Sequence, residues 1–454
     1  MTSPATPRRI LALGALALGA VALVAAGCSK PPSPQGWAAA RPVKAEGQGV
    51  VLVAHKAKLY ALPGQTADDL SSNALWQFPP KDKNTFPVSE QTAETLSAGI
   101  DGLDGVADAE KTRLKKMVTE LNVSGSSAGT LKDALKSSGA SDAQRKQLAD
   151  AIDTTIKFEK GSLDRLQAFY GDIGISADNQ TAFLTSFRGM VFAIDIASGQ
   201  TRWIRDAGAG VIGGIAVEGY TLYFGTKGKR VYAVDAKTGD RTWQFATKGE
   251  VWATPVIDGD TIYVTSLDGS LYALDKSGKQ RWVFSDAGSG IAARPAVSGD
   301  AVYVGSFDNK LYSVNKTDGT MNWSLKAGNW FWATPVVRDG IVYAASLDGK
   351  VYAVDASTGA SRWERPFDTG AEVRSGPAVA GGGLIVAARN GKVFKLDLSS
   401  GQADAGSPVT AGTKILADLS TDGANTVYVV PKSATLYVVD ASSQLAVGYI
   451  PLPQ

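Results

Sequence analysis

Tryptophan recurs at a nearly constant interval through the second half of the chain. Five tryptophans follow one another at spacings of 40, 39, 41 and 40 residues: Trp203, Trp243, Trp282, Trp323 and Trp363. Each ends a similar phrase, such as VYAVDAKTGDRTW or VYAVDASTGASRW. Weaker copies lead to Trp76, start at Val393 and start at Leu436, which makes eight in all. A fixed period of this length indicates a repeat architecture in which each unit covers the apolar face of its neighbour.

Each repeat has the pattern of four short strands. In residues 250–284 we expect strands at 250–257, 261–267, 270–275 and 280–284, with Asp-Gly pairs at the first two turns. Four antiparallel strands in about 40 residues are typical of a propeller blade. The sequence therefore predicts an all-β protein, an eight-bladed β-propeller of four-stranded antiparallel blades. Blade 1 occupies residues 38–80, and blades 2–8 occupy residues 166–454.

Residues 81–165 interrupt the repeat and have a different character. They contain few aromatic residues and many charges, and apolar residues recur at helical spacing, as at Leu148, Ile152 and Ile156. Thr130 and Ser141 begin phrases with the form of helix caps. We expect a small inserted α-helical subdomain of three or four helices between blades 1 and 2. The insertion is either a tolerated surface loop or a docking module or lid.

The position of the insertion follows from strand order. In a blade of four antiparallel strands, the connection from the fourth strand to the next blade lies on the same face as the turn between the second and third strands. We call this the upper face. We expect the helices to emerge on the upper face, beside the mouth of the central channel.

The N-terminus has the form of a bacterial lipoprotein signal. Arg8 and Arg9 precede an apolar run that is short for a membrane span, and small residues then lead to Cys28. We expect residues 1–27 to be a signal peptide, Cys28 to be lipidated and residues 28–37 to form an extended, proline-containing tether. An ordinary signal peptide with an incidental cysteine is the alternative.

Composition excludes several function classes. The formal charge is only +2 over 454 residues, which gives no reason to expect nucleic-acid binding. One cysteine and one histidine leave no disulfide framework and no metal site built from these residues, so we predict none. The single histidine also argues against Ser-His-Asp or Cys-His catalysis, and we assign no catalytic residue.

The repeated phrase resembles the tryptophan-docking motif of quinoprotein-type (PQQ-like) propellers. Ala233, Asp235, Thr238, Gly239 and Trp243 match A-x-D-x-x-T/S-G-x-x-x-W. The resemblance implies that each motif tryptophan packs against the neighbouring blade and staples the ring. The structural docking residues are then Trp76, Trp203, Trp243, Trp282, Trp323 and Trp363. As a lipid-anchored propeller, the chain is also similar to the BamB-like lipoproteins of the outer-membrane β-barrel assembly machinery.

Prolines near the start of each repeat align the inner strands and identify a candidate funnel. Several aromatic and basic residues stand one or three positions before these prolines, which are Pro42, Pro255, Pro295, Pro335 and Pro377. Side chains alternate between the two faces of a strand, so the residues one and three positions before a proline point to the same side. Trp330 and Phe331 extend the connection from the fourth strand to the next inner strand on the same upper face. The candidate ligand or partner funnel comprises Trp252, Trp330, Phe331, Trp332, Arg41, Arg294 and Arg374. Aromatic planes with guanidinium groups suit a flat anionic ligand or a peptide, although these side chains can equally fill the ring interior.

These observations favour a non-enzymatic, lipid-anchored envelope scaffold that binds other proteins through its propeller loops. Its partners are envelope proteins, and it is a monomer within a larger complex. We place it outside the cytoplasm, on the periplasmic face of an outer membrane if the cell has two membranes and on the cell surface if it has one. The alternatives are a PQQ-binding protein or dehydrogenase, and a sensor or carbohydrate-binding module. No cofactor is assigned, because quinoprotein enzymes usually carry a cysteine pair that this chain lacks.

Overall fold

A computed structural model describes residues 37–45, 48–64, 73–82, 86–442 and 445–452. The predicted signal peptide, Cys28 and the predicted tether lie outside the described residues, except that Trp37 begins the first strand. Within the described ranges, no helix is both long enough and apolar enough to cross a membrane.

Thirty-two strands form eight separate four-stranded antiparallel sheets, so the predicted eight-bladed propeller is confirmed. Blade 1 comprises β1 (Trp37–Ala45), β2 (Gln48–His55), β3 (Lys58–Pro63) and β4 (Trp76–Phe78). Blades 2 to 4 comprise β5 (Gly174–Ile175), β6 (Thr181–Thr185), β7 (Met190–Asp195), β8 (Thr201–Asp206), β9 (Ala216–Glu218), β10 (Thr221–Thr226), β11 (Arg230–Asp235), β12 (Arg241–Ala246), β13 (Val256–Asp258), β14 (Thr261–Thr265), β15 (Leu271–Asp275) and β16 (Gln280–Phe284).

Blades 5 to 8 repeat the same order. They comprise β17 (Ala296–Ser298), β18 (Ala301–Gly305), β19 (Lys310–Asn315), β20 (Met321–Lys326), β21 (Val336–Arg338), β22 (Ile341–Ala345), β23 (Lys350–Asp355), β24 (Phe367–Asp368), β25 (Ala378–Ala380), β26 (Gly383–Ala387), β27 (Lys392–Leu396), β28 (Val409–Thr410), β29 (Ser420–Thr421), β30 (Thr426–Val429), β31 (Thr435–Asp440) and β32 (Ala446–Pro451). Every blade is built from four consecutive strands. Blade 8 meets blade 1 through a buried cluster that contains Val53, Leu62, Leu436 and Ile450.

The inner strands are shorter than the sequence pattern suggests. In blade 4 the first strand covers only Val256–Asp258, whereas we expected it to start at residue 250. The preceding residues bond elsewhere: the amide of Val251 donates to Thr226 in blade 3. The first turn is also displaced by one residue from the predicted Asp258-Gly259 pair. Asp258 pairs with Thr261, so the turn consists of Gly259, at φ +54°, and Asp260.

Tryptophans link successive blades at six interfaces among the described residues. Each indole Nε1 donates to a backbone carbonyl in the turn between the third and fourth strands of the next blade. The bonds run from Trp76 to Ile196 (2.8 Å), Trp203 to Ala236 (2.9 Å), Trp243 to Lys276 (2.8 Å), Trp282 to Lys316 (3.0 Å), Trp323 to Ala356 (3.0 Å) and Trp363 to Leu398 (3.0 Å). Each ring also covers a glycine of that turn. Gly239, at φ +75°, is one, and a Cβ there would lie 2.8 Å from the Trp203 ring.

Blade 7 shows what replaces the indole where it is missing. In most other blades a small residue stands opposite the tryptophan, as Ala233 pairs with Trp243, and leaves room for the ring. Blade 7 has Ala405 at the tryptophan position and the buried Lys395 at the small-residue position. The Lys395 ammonium lies 3.3 Å from the Asp404 carboxylate. In the part of the chain that the structure describes, no indole staples blade 7 to blade 8, or blade 8 to blade 1.

Four helices form the insertion between blades 1 and 2: α1 (Glu90–Asp101), α2 (Asp108–Thr119), α3 (Ala128–Lys136) and α4 (Asp142–Asp164). Ser141 and Gln144 form the expected reciprocal cap at the start of α4. Thr130 does not cap a helix, because α3 begins two residues earlier and places Thr130 in its first turn. The apolar stripes of the helices join one buried cluster with blades 1 and 2.

The helices lie against the outer edge of blade 2, so the expected position beside the channel mouth is wrong. α1 and α4 both pack on β8, the outermost strand of that blade. Arg205 of β8 donates to Gln91 of α1 at 2.7 Å, and Gln91 donates to the Thr238 carbonyl at 3.1 Å. The covered strand would otherwise present unpaired backbone groups at a sheet edge. The insertion therefore covers a sheet edge and does not lie over the channel.

A buried carboxyl group connects the first and last helices. Glu159 of α4 is 2% exposed and accepts hydrogen bonds from the backbone and hydroxyl of Ser89 and from the Thr92 hydroxyl, at the start of α1. Burial raises the pKa of Glu159, although the bonds from Ser89 and Thr92 oppose this. A helix N-terminus with free amides is a favourable position for a carboxylate.

We expect Glu159→Ala to lower the free energy of unfolding by about 2–3 kcal/mol, because it leaves the Ser89 amide and two hydroxyls buried without their acceptor. Glu159→Gln keeps one acceptor oxygen and serves as the matched control, with a loss of about 1 kcal/mol. Urea unfolding followed by circular dichroism measures both. Equal losses in the two variants would contradict a role for these hydrogen bonds.

Candidate functional site

The connections into the inner strands of blades 2 to 8 converge around the upper mouth of the central channel. They enclose a space of about 650 Å³, the open part included. The side chains that line it are Tyr170, Asp172, Ile212, Trp252, Thr254, Ala292, Arg294, Trp332, Thr334, Arg374, Leu416 and Asp418. We call this set the channel mouth.

Four of the predicted funnel residues come together here: Trp252, Arg294, Trp332 and Arg374. Trp330 lies beside them and reaches the mouth through Phe307. The ring of Phe307 stacks on Trp330 at 4.6 Å and on Trp332 at 5.1 Å between ring centroids. These aromatic residues are half-buried. They leave a continuous aromatic surface at the upper face.

Phe331 does not line the channel mouth. Its side chain is 1% exposed and packs between blades 5 and 6, edge-on to Tyr352 at 5.7 Å. Neighbouring residues of an extended chain point to opposite sides, so Trp330 and Trp332 face the mouth while Phe331 enters the core. Val251 and Ile291 are buried at the same position of blades 4 and 5.

Arg41 also lies apart from the channel mouth, because Pro42 is out of register with the other prolines. Arg41 pairs with Leu52, which pairs with Ala61 of the LYAL phrase in blade 1. In blade 4 the residue with the equivalent pairing is Val256, which pairs with Tyr263, and Tyr263 pairs with Ala273 of the same phrase. Arg41 therefore corresponds to Val256 of blade 4 and not to Thr254, with which the proline alignment had matched it. Its side chain is exposed on β1.

Sequence reasoning missed several mouth residues, because it aligned the repeats on proline. Blades 2, 3 and 8 have Ile173, Ile215 and Leu419 at the proline position, so their contributions were not found. Counting one repeat of 40 residues back from Trp252 would have identified Ile212, but not the mouth residues of blades 2 and 8. The missed residues are Tyr170, Asp172, Ile212, Leu416 and Asp418.

Two carboxylates and two arginines give the channel mouth a balanced charge. Arg294 forms an ion pair with Asp172 at 3.0 Å. Asp418 accepts a hydrogen bond from the Thr334 hydroxyl at 2.7 Å and another from the Gly376 amide. Burial, with the neighbouring charge of Asp172, raises the pKa of Asp418. Mutual repulsion of the two carboxylates is thus offset by hydroxyl, amide and guanidinium donors.

The second arginine joins the aromatic surface. The Arg374 guanidinium carbon lies 4.0 Å from the centre of the Trp332 ring, which is a close cation–π contact. Burial, together with the positive charge of Arg389, lowers the pKa of Arg374 to about 10. Trp252 and Trp332 approach to 6.2 Å at an angle of 53°, and the Trp252 indole donates to Glu250 at 2.7 Å.

The residues present do not fit a planar quinone cofactor. A stacked cofactor needs an open aromatic face, but Trp332 already stacks with Phe307 and carries Arg374. The tilt between Trp252 and Trp332 forms no parallel slot. Within the described residues, no three His, Cys, Asp or Glu side chains are grouped to hold a metal ion. His55 is 4% exposed at the end of β2 and belongs to blade 1.

Comparison with known proteins places the fold in a family. No curated protein sequence matches the chain. The crystal structure of BamB from Moraxella catarrhalis is similar, with a TM-score of 0.50 and 22% sequence identity, over 58% of this chain and 83% of that one. The computationally designed Ika8 protein has a TM-score of 0.47 and 16% identity, over 60% and 81% of the two chains.

A family model described as outer membrane protein assembly factor BamB matches residues 187–294 and 285–448, which is more than half of the chain. The match covers the docking motifs from blade 2 onward and most of the channel mouth. The likeness to the solved structure supports the same propeller fold. On this evidence the chain belongs to the BamB family of PQQ-type β-propellers.

Proposed function

We propose that the protein is a lipid-anchored, non-enzymatic scaffold of the cell envelope that binds other envelope proteins through the channel mouth and the surrounding loops. The family model names an outer membrane protein assembly factor, and this role is the basis of the proposal. In a cell with two membranes, the protein lies on the periplasmic face of the outer membrane.

The half-buried aromatic surface at the channel mouth carries this proposal. Trp252, Trp330, Trp332 and Phe307 form one patch with Arg374 at its edge. Tryptophan, phenylalanine and arginine are enriched at protein interfaces, and tryptophan and arginine often contribute most of the binding energy. Fixed carboxylates at Asp172 and Asp418 add hydrogen-bond acceptors around the patch. A loop or strand end of a partner protein fits such a surface.

A photo-crosslinking residue at position 330 tests the interaction in living cells. We expect ultraviolet light to yield discrete adducts with envelope proteins, and the additional change Trp252→Ala to weaken them. The matched control is the same residue at position 220, because Tyr220 is 83% exposed at the turn between β9 and β10, on the opposite face. Adducts of equal strength from both positions, or none from position 330, would refute the proposed docking surface.

Lipidation of Cys28 is a separate prediction of the same proposal. We expect Cys28→Ser to move the protein from the membrane fraction to the soluble extracytoplasmic fraction and to abolish labelling by radioactive palmitate. Several acyl chains, at about 0.8 kcal/mol for each buried methylene, make the attachment of the native protein stable. The control is Lys30→Ala, which alters the tether but keeps the cysteine. Palmitate labelling that persists in the Cys28→Ser variant would exclude this site.

A further inference from the structure

The two faces of the propeller carry opposite charge. The hairpin turns between second and third strands, on the upper face, are rich in basic residues in all blades but the fourth. These residues are Lys56, Lys58, Arg188, Lys227, Lys229, Arg230, Lys310, Lys350, Arg389, Lys392 and Lys432. We call this set the basic rim. We propose that the basic rim docks on an anionic phospholipid surface and so turns the channel mouth toward partner proteins at that membrane, an inference that rests on the membrane attachment in the proposed function.

The opposite face has the reverse composition. The turns between first and second strands carry Asp178, Glu218, Asp258, Asp260, Asp300, Asp339 and Asp422, with Arg338 as a basic exception. The turns between third and fourth strands, on the same face, mix lysines such as Lys237 and Lys279 with aspartates such as Asp240 and Asp318. A chain with a formal charge of only +2 is thus strongly polarised from one face to the other. The asymmetry makes one face attractive and the other repulsive toward an anionic surface.

Several acidic residues on the upper face are engaged in local bonds. Asp268, Asp308 and Asp348 each accept a hydrogen bond from a tyrosine hydroxyl of the same hairpin and from a backbone amide of the preceding connection. Asp206 pairs with Arg165 and Glu372 pairs with Arg389. Among the described residues, Arg188, Lys229 and Arg230 form no ion pair and are exposed. These three residues therefore present positive charge to an external surface.

The chain enters the propeller at this same face. Trp37, the first residue of β1, pairs with His55, next to Lys56 in an upper-face turn. Eight residues separate Cys28 from Trp37. At about 3.3–3.6 Å for each residue, this segment spans no more than roughly 30 Å. A lipid on Cys28 is therefore attached within this distance of the upper-face end of β1.

The distribution of the basic residues favours a bilayer over a single acidic protein. Seven of the eight hairpin turns contribute, so the charges encircle the channel mouth and do not form one local patch. A flat anionic surface contacts such a ring at many points, whereas a protein segment covers a part of it. Each basic residue near an anionic bilayer adds about 1 kcal/mol of attraction, within a Debye length of about 8 Å.

Vesicle co-sedimentation tests the proposal without the lipid anchor. The chain is produced from Ser29 onward, which retains every described residue, and is mixed with vesicles of phosphatidylcholine alone or with added phosphatidylglycerol. We expect binding to the anionic vesicles only, decreasing as sodium chloride is raised. Arg188→Glu/Arg230→Glu should weaken this binding tenfold or more, at about 1 kcal/mol for each lost attraction and with added repulsion.

The matched control reverses two exposed lysines of the acidic face, Lys237→Glu/Lys279→Glu, with the same change in net charge. We expect it to bind within about twofold of the parent chain. Equal binding to both kinds of vesicle, or equal losses in the two variants, would overturn membrane docking and leave an acidic protein as the partner of the rim. Because this chain lacks Cys28, its result is independent of palmitate labelling, so failure of the anchor and failure of the rim are distinguishable.

Discussion

Replacing Trp203 by alanine is expected to lower the free energy of unfolding by about 3–5 kcal/mol. Its side chain is 1% exposed, packs on Phe183 at 6.0 Å and donates its indole hydrogen to the Ala236 carbonyl of blade 3. The substitution opens a cavity between blades 2 and 3 and leaves that carbonyl without its donor. Urea unfolding monitored by circular dichroism measures the loss.

Trp252→Ala is the matched control, since it removes a tryptophan that does not staple two blades. Trp252 is half-buried at the channel mouth, and we expect a loss of about 1 kcal/mol or less. The comparison separates docking from the general effect of removing an indole. If the two variants unfold at the same urea concentration, the staple has no special role in ring stability.

Acidification is expected to destabilise the protein through His55. Burial, with the adjacent charge of Lys56, lowers the pKa of His55 to about 4 from the ordinary 6.5. Its Nε2 atom has no hydrogen-bond partner among the described residues. Between pH 6.5 and 4, the unfolded chain binds a proton that the folded chain does not. This contribution to stability is therefore fully present above pH 6.5 and is lost as the pH falls, by about 2–3 kcal/mol at pH 4 once solvent screening is allowed for.

The His55→Leu variant isolates this contribution, because carboxylates also titrate in the acid range. The free energy of unfolding of the parent chain should fall by about 2–3 kcal/mol more than that of the variant between pH 7 and pH 4. Denaturant unfolding at a series of pH values gives the two curves. Parallel curves would show that His55 takes up its proton equally well in the folded protein.

The ring could be predicted from the sequence because its determinants are local and repeated. The indole, the glycine it covers and the small residue opposite it all recur with one period, as Trp203, Gly239 and Ala193 show. A single blade cannot bury both of its faces, and eight copies can cover those faces in few arrangements other than a closed ring. The inner strands were less predictable at their ends, because the connections before them bond to neighbouring blades.

The channel mouth was predicted only in part, since its members are defined by register and not by residue type. Pro42 matches the other prolines in the sequence, yet β-pairing places it outside their register. Asp172 and Asp418 stand in repeats without the proline and were missed. Phe331 was assigned to the mouth because it belongs to the connection on the upper face, but side chains alternate along an extended chain, and its ring lies in the core.

The position of the helices was the least predictable feature. Apolar spacing identified the buried stripe of α4 at Leu148, Ile152 and Ile156. Spacing identifies an apolar face but not the surface that covers it, and contacts such as Arg205 with Gln91 join residues more than a hundred positions apart. Only the three-dimensional arrangement shows that the insertion rests on β8.

Among the described residues, neither interface of blade 8 has an indole staple, and one of these interfaces closes the ring. The contact between the first and last blades joins the most distant parts of the chain, so its closure is entropically the most demanding step. In a chain that is synthesised from its N-terminus, the closing blade also arrives last. Until it arrives, the buried face of blade 1 that includes Val53 and Leu62 stays open to solvent and to chaperones.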